Sequence, residues 1–197
     1  MWLLQDGWKV LRPDWRRYLT LNGLIYGGVV VGFALGWAGH LRVEAGLMPR
    51  LVLAQGGLGP GWFIWLAQHW LLLAGGFMAV NLALVSLAIL AGAAWPPALI
   101  LLGGWFGLEL VFVTAVYVTL EPWSLVPLLP LLVVEAQAVV LGLFAGWGLG
   151  ARKGAWRQRL GAWSVYWPVC RLIPPLLLVA GLWEARIISA LVEVTGG

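Results

Sequence analysis

Leu125–Gly150 reads LVPLLPLLVVEAQAVVLGLFAGWGLG, and its polar side chains are Glu135 and Gln137. About 20 apolar residues in an α-helix cross the hydrocarbon core of a bilayer. The stretch is long enough to span and carries a single ionisable group. It predicts a transmembrane helix, and the rest of the chain repeats the pattern. Of 197 residues, 62% are hydrophobic and 10% charged, and the mean hydropathy is +0.92. A soluble domain carries roughly 45–50% apolar and about 25% charged residues. A core built in water could not hide this much apolar surface, so the expected solvent is lipid.

The expected fold is all-α: a polytopic transmembrane helical bundle of about five spans plus two interfacial amphipathic helices, forming a single membrane domain over 1–197. The spans are expected at 21–39, 74–92, 98–120, 125–150 and 168–192. Residues 2–20 place Leu4, Trp8, Leu11, Trp15 and Tyr18 at helical spacing among Lys9, Arg12, Arg16 and Arg17. That pattern predicts a helix lying in the membrane surface, bent or restarted at Pro13. Residues 153–167 repeat it with Trp156, Leu160, Trp163 and Trp167. Residues 40–73 read as an external connection. Within it, Trp62–Leu73 is either half-inserted or the start of a strongly tilted helix.

Basic residues set the expected orientation. Lys9, Arg12, Arg16, Arg17, Arg152, Lys153, Arg157, Arg159 and Arg171 flank loops on one side, and Arg42 and Arg50 fall on the other. The positive-inside rule puts the larger set in the cytoplasm. The chain is then a multi-pass protein of the cell (cytoplasmic) membrane, with a cytoplasmic N-terminus and an external C-terminus. The basic clusters flank apolar runs, so they anchor the chain to lipid, and no nucleic-acid partner is expected. The beginning, MWLLQD, lacks a basic n-region, so no cleavable signal peptide is expected.

Several chemistries are set aside. Asp6 and Asp14 are the only aspartates, which excludes an intramembrane aspartyl protease. No Gly-x-Ser-x-Gly surrounds Ser86, Ser124, Ser164 or Ser189. His40 and His69 form no His-Glu-x-x-His, and one cysteine, Cys170, builds neither a disulfide nor a thiolate metal site. There is no phosphate-binding Gly-x-x-x-x-Gly-Lys-Ser/Thr loop. No catalytic residue, metal or cofactor is expected, and no nucleophile–base pair supports an intramembrane hydrolase.

The candidate functional residues are instead the polar groups inside spans: Asn81, Glu109, Glu135, Glu184 and Arg171. A charge at the bilayer centre costs roughly 2.5–3.5 kcal/mol on insertion scales, so such groups face the bundle interior or a water-filled path. One reading is an ion or proton path; the other is a contact that fixes helix packing. Glu135 lies on the face of the small-residue stripe Ala138, Gly142, Gly146 and Gly150, with Pro127 and Pro130 placed to break the helix before it. Asn81 is the expected neutral partner. His69 reads as an interfacial residue among tryptophans. A second stripe, Gly28, Gly32 and Gly36, suits close helix packing and a homodimer.

Three groups of residues, taken in order, resemble the stage II sporulation protein M family of bacterial and archaeal membrane proteins. They are Asn81 with Gly92 and Gly103–Gly107; Leu129-Pro130, Glu135 and the exit Ala145–Gly150; and the closing Ala180-Gly181-Leu182-Trp183-Glu184. The likeness covers 75–190. The family often has paired asparagines and a His-Gly before the motif glutamate; here Val80 precedes Asn81 and no histidine lies near Glu135. The resemblance implies a multi-span protein without established enzyme activity, working as a scaffold or assembly partner among other membrane or envelope proteins. The alternative expectation is a channel or permease component that moves an ion or small solute along the buried Glu, Asn and Arg residues.

Overall fold

The computed structural model describes residues 2–37, 65, 68–95, 98, 128–152, 154 and 156–195, and every regular element among them is a helix. In chain order these are α1 (Trp2–Leu11), α2 (Trp15–Trp37), α3 (Trp70–Ala94), α4 (Leu128–Gly150), α5 (Trp156–Gly161), α6 (Trp163–Cys170) and α7 (Ile173–Thr195). Three stretches among the described residues are long and apolar enough to cross a membrane: Trp70–Ala94, Leu129–Gly150 and Trp163–Ala190. The described residues thus form an all-helical array with three helices able to cross a membrane. The expected span 98–120, with Glu109, lies outside the described residues, as do 40–64 and 125–127.

Helix α4 is the centre. Its spanning window is 61% buried, against 28% for α3 and 39% for Trp163–Ala190. It packs against α2, α3, α6 and α7, while α3 and α7 also pack on each other. Small residues decide the closest approach. A Cβ added at Gly142 would stand 2.5 Å from Val85 Cγ1, and one at Gly146 only 3.0 Å from the Ile89 carbonyl oxygen. At Gly181 it would meet the Ala74 carbonyl oxygen at 2.9 Å. Small side chains let helix backbones come together where lipid gives apolar groups no reason to associate. Ala138 and Gly150 of the same stripe are also buried.

These contacts fix direction. Val85 and Ile89 rise along α3 as Gly142 and Gly146 rise along α4, so the two helices run parallel. Helix α7 runs the other way, since Gly181 faces Ala74 and Met78, and Ala185 and Ile188 pack with Leu73 and Trp70. Helix α2 is also antiparallel to α4: Tyr18 meets Phe144 and Tyr26 reaches Val133. The start of α2 and the ends of α3 and α4 therefore gather at one end of the bundle, with α5 and α6.

Several boundaries differ from the sequence reading. Arg12–Asp14 forms a single 3-10 turn around Pro13, so α1 stops at Leu11 and α2 starts at Trp15. Helix α3 starts at Trp70, inside the expected connection, because Leu73 and Ala74 are buried against α7. Pro130 does not break α4. It sits in the first turn, where a missing N–H leaves no intrahelical bond unmade. The second amphipathic helix is two pieces that part at Ala162, and the second piece continues through Pro168 to Cys170. Pro174 and Pro175 occupy the first turn of α7 for the same reason as Pro130.

Candidate functional site: polar contacts between helices

Asn81, near the middle of α3, donates from Nδ2 to Glu135 Oε1 of α4 at 2.6 Å. Both side chains are half-buried. Glu184 of α7, also half-buried, lies within electrostatic reach of Glu135. Asn81 and Glu135 thus meet between α3 and α4, and Glu184 of α7 is the further predicted residue in the electrostatic neighbourhood of Glu135. Their chemistry is that of two carboxyl groups with one amide donor.

A second polar cluster joins α2 to α4. Gln137 accepts from Tyr18 Oη at 2.6 Å through Oε1. Its Nε2 donates to Asn22 Oδ1 at 2.7 Å and to Tyr26 Oη at 2.8 Å. Asn22 in turn donates to the Tyr18 carbonyl at 2.8 Å. The donors and acceptor of the glutamine amide are all engaged, as an amide in lipid requires. Tyr18, Asn22 and Tyr26 stand four apart, so they share one helix face. That polar stripe is visible in the sequence, where helical spacing alone puts Tyr18 on the apolar side of a surface helix.

The third contact holds α1. Arg171 Nη2 donates to Asp6 Oδ2 at 2.7 Å, and Lys9 Nζ lies 3.3 Å from Oδ1 of the same carboxylate. Arg171 Nε is buried without a hydrogen-bond partner among the described residues. Hydrogen bonds from Arg171 and then Lys9 hold the Asp6 carboxyl below its ordinary pKa. Arg171 therefore sits at the bundle end, at the junction of α6 and α7, and does not join the glutamates. Gly7 allows the approach, since a Cβ there would lie 2.8 Å from Leu172 Cδ1. The expected lipid-facing stripe of α1 is divided: Leu11 is buried, while Leu4 and Trp8 remain 68% and 51% exposed.

At the same end, Arg159 Nη1 donates to the carbonyls of Ala93 at 3.1 Å and Ala94 at 3.4 Å. A cation there closes the last turn of α3, whose carbonyls have no intrahelical donors. An aromatic path, Trp8–Trp15–Tyr18–Phe144–Tyr166, links α1, α2, α4 and α6 through ring centroids 5.2–6.5 Å apart. A side chain at Gly148 would collide with the Tyr166 ring.

The remaining candidates fall elsewhere. Gly28 is half-buried on α2. Gly32 and Gly36 belong to the same helix, but their surroundings lie outside the described residues, as does Glu109. His69 precedes α3, and its Nδ1 is 2.8 Å from the Trp65 carbonyl oxygen, with its ring against the Trp65 indole. No known protein family, no curated protein and no solved structure matches the chain.

Proposed function

We propose that this chain is a non-enzymatic scaffold of the cytoplasmic membrane, a five-span protein that holds partner proteins of the envelope in place. The observation that carries the reading is the arrangement of its intramembrane polar groups. Asn81–Glu135 and the Gln137 cluster each join one helix to another, as fasteners of a fixed bundle do. The resemblance to the stage II sporulation protein M family adds support, because Asn81 and Glu135, which help carry it, bond to each other and Glu184 lies within electrostatic reach. Helix α3 ends and α4 begins at opposite ends of the bundle, which supports a further crossing between them; the basic residues of α1, α2 and α5 gather at one end, which supports a cytoplasmic N-terminus. Self-association through the glycine stripe of α2 belongs to the same reading.

Photocrosslinking in the native membrane tests it. Crosslinkers placed at the outward positions Leu84 and Leu87 of α3 and Val179 of α7 are expected to give reproducible protein adducts. Adducts with lipid alone, at every position, would refute the scaffold.

One observation favours a second reading, a channel or permease component: two carboxylates, Glu135 and Glu184, stand within electrostatic reach inside spanning helices. Ion flux in proteoliposomes separates the two. A pathway predicts flux that Glu135→Gln abolishes; a scaffold predicts none in either protein.

A further inference from the structure

The start of α2 and the end of α4 frame an open cleft of about 630 Å³, lined by Asp14, Trp15, Arg16, Arg17, Thr20 and Trp147. Arg17 is already positioned: its Nη1 donates to Asp14 Oδ2 at 3.2 Å, and its guanidinium lies 5.4 Å over the Trp147 ring. Arg16 is exposed in the same cleft. The two arginines against one aspartate leave a single excess positive charge. That balance suits a singly charged phosphodiester better than a doubly charged phosphate, which Asp14 would repel. Two indoles in the lining match the water–hydrocarbon boundary, where tryptophan concentrates.

The surface of α2 continues from this cleft toward the hydrocarbon. Arg16, Thr20, Gly23 and Gly27 share one face. A Cβ at Gly23 or Gly27 would meet nothing within 4 Å, and Val30 and Val31 beyond them are exposed. The cleft thus opens along the helix onto an apolar track at chain depth. A zwitterionic lipid would bring its own cation toward Arg16, so a headgroup without an amine is favoured.

We propose that this cleft is a binding site for an anionic phospholipid, its phosphodiester on Arg16 and Arg17 and an acyl chain along Gly23 and Gly27. The site is separate from Asn81–Glu135–Glu184 and stands whether the protein is a scaffold or a permease. Native mass spectrometry of the full chain, released from detergent with phosphatidylglycerol or phosphatidylcholine added, tests it. Wild type should retain phosphatidylglycerol about fivefold better, the scale of one basic residue at an anionic surface. Arg16→Gln should lose that preference. Arg12→Gln removes the same charge from an exposed position outside the cleft and should keep it.

Equal retention of both lipids by wild type overturns the proposal. So does a loss with Arg12→Gln as large as with Arg16→Gln, which would mark general charge attraction. Displacement of phosphatidylglycerol by millimolar inorganic phosphate would identify a free-phosphate site and overturn the lipid assignment. Should Arg16→Gln fail to fold, Gly23→Leu decides: it fills open space on the proposed acyl track, and unchanged retention refutes the site.

Discussion

Replacing Gly146 with alanine tests the close approach of α3 and α4. The new Cβ would sit 3.0 Å from the Ile89 oxygen, 3.1 Å from its Cα and 3.3 Å from the Ala88 oxygen. All three are backbone atoms of α3, so no side chain can rotate aside. The whole helix must move by a few tenths of an ångström. Overpacking of this kind costs about 1–3 kcal/mol. Alanine returns roughly 1 kcal/mol of helix propensity. Gly27→Ala gains the same propensity on α2 and meets nothing within 4 Å. The difference between the two variants therefore isolates packing, and it should be about 1–3 kcal/mol in favour of Gly27→Ala. For a chain of this size each kcal/mol moves the melting temperature by roughly 2–4 °C. Thermal unfolding in one detergent, followed by circular dichroism and by loss of the monodisperse peak, reads the order directly. If Gly146→Ala melts at or above Gly27→Ala, the interhelical spacing described for α3 and α4 is wrong.

Gln137→Leu removes three hydrogen bonds and should cost about 2 kcal/mol at roughly 0.6 kcal/mol each; a double-mutant cycle with Tyr18→Phe should show coupling, and strictly additive losses would rule out the shared bond. The Asp6 carboxyl has its pKa lowered by folding, so its contribution is present above the unfolded carboxylate value near pH 4 and is lost as pH falls through the lower folded value. Asp6→Asn should accordingly melt below wild type at pH 6 and match it in strong acid; a gap that persists unchanged in acid would refute the role of the ionised pair. Arg159→Ala should fray the end of α3 by about 0.3–1 kcal/mol, seen as faster amide exchange around Ala94 and Trp95 with no change at Val85; uniform exchange across α3 would contradict a local cap.

The solvent of the fold was legible in composition alone, because summed apolar content reports which medium a chain prefers. The turn at Pro13 and the pairing of Asn81 with Glu135 were legible for a related reason: proline removes a donor, and an amide in lipid needs a partner. Directions were harder. The repeat of Leu4, Trp8, Leu11, Trp15 and Tyr18 shows that a face exists, not whether it meets lipid or protein. The structure divides it, burying Leu11 and turning Tyr18 to Gln137 while leaving Trp8 outside. By its sequence neighbours, Arg159 is one more interfacial cation. Its capping of α3 depends on a contact 66 residues away, which no local window contains. Arg171 lies within the span-length stretch Trp163–Ala190, and its partner Asp6 comes from α1, far outside any local window.

Asp6 and Arg171 are 165 residues apart, and a ribosome makes the first long before the second. At 5–20 residues per second, roughly 10–30 s separate their synthesis. Helix α1 emerges early with only Lys9 to pair Asp6 and with its glycine notch at Gly7 unfilled. It can settle against α6 only after α6 and Arg171 have been made. Of the described helices, α1 is thus made first and is among the last to be fastened.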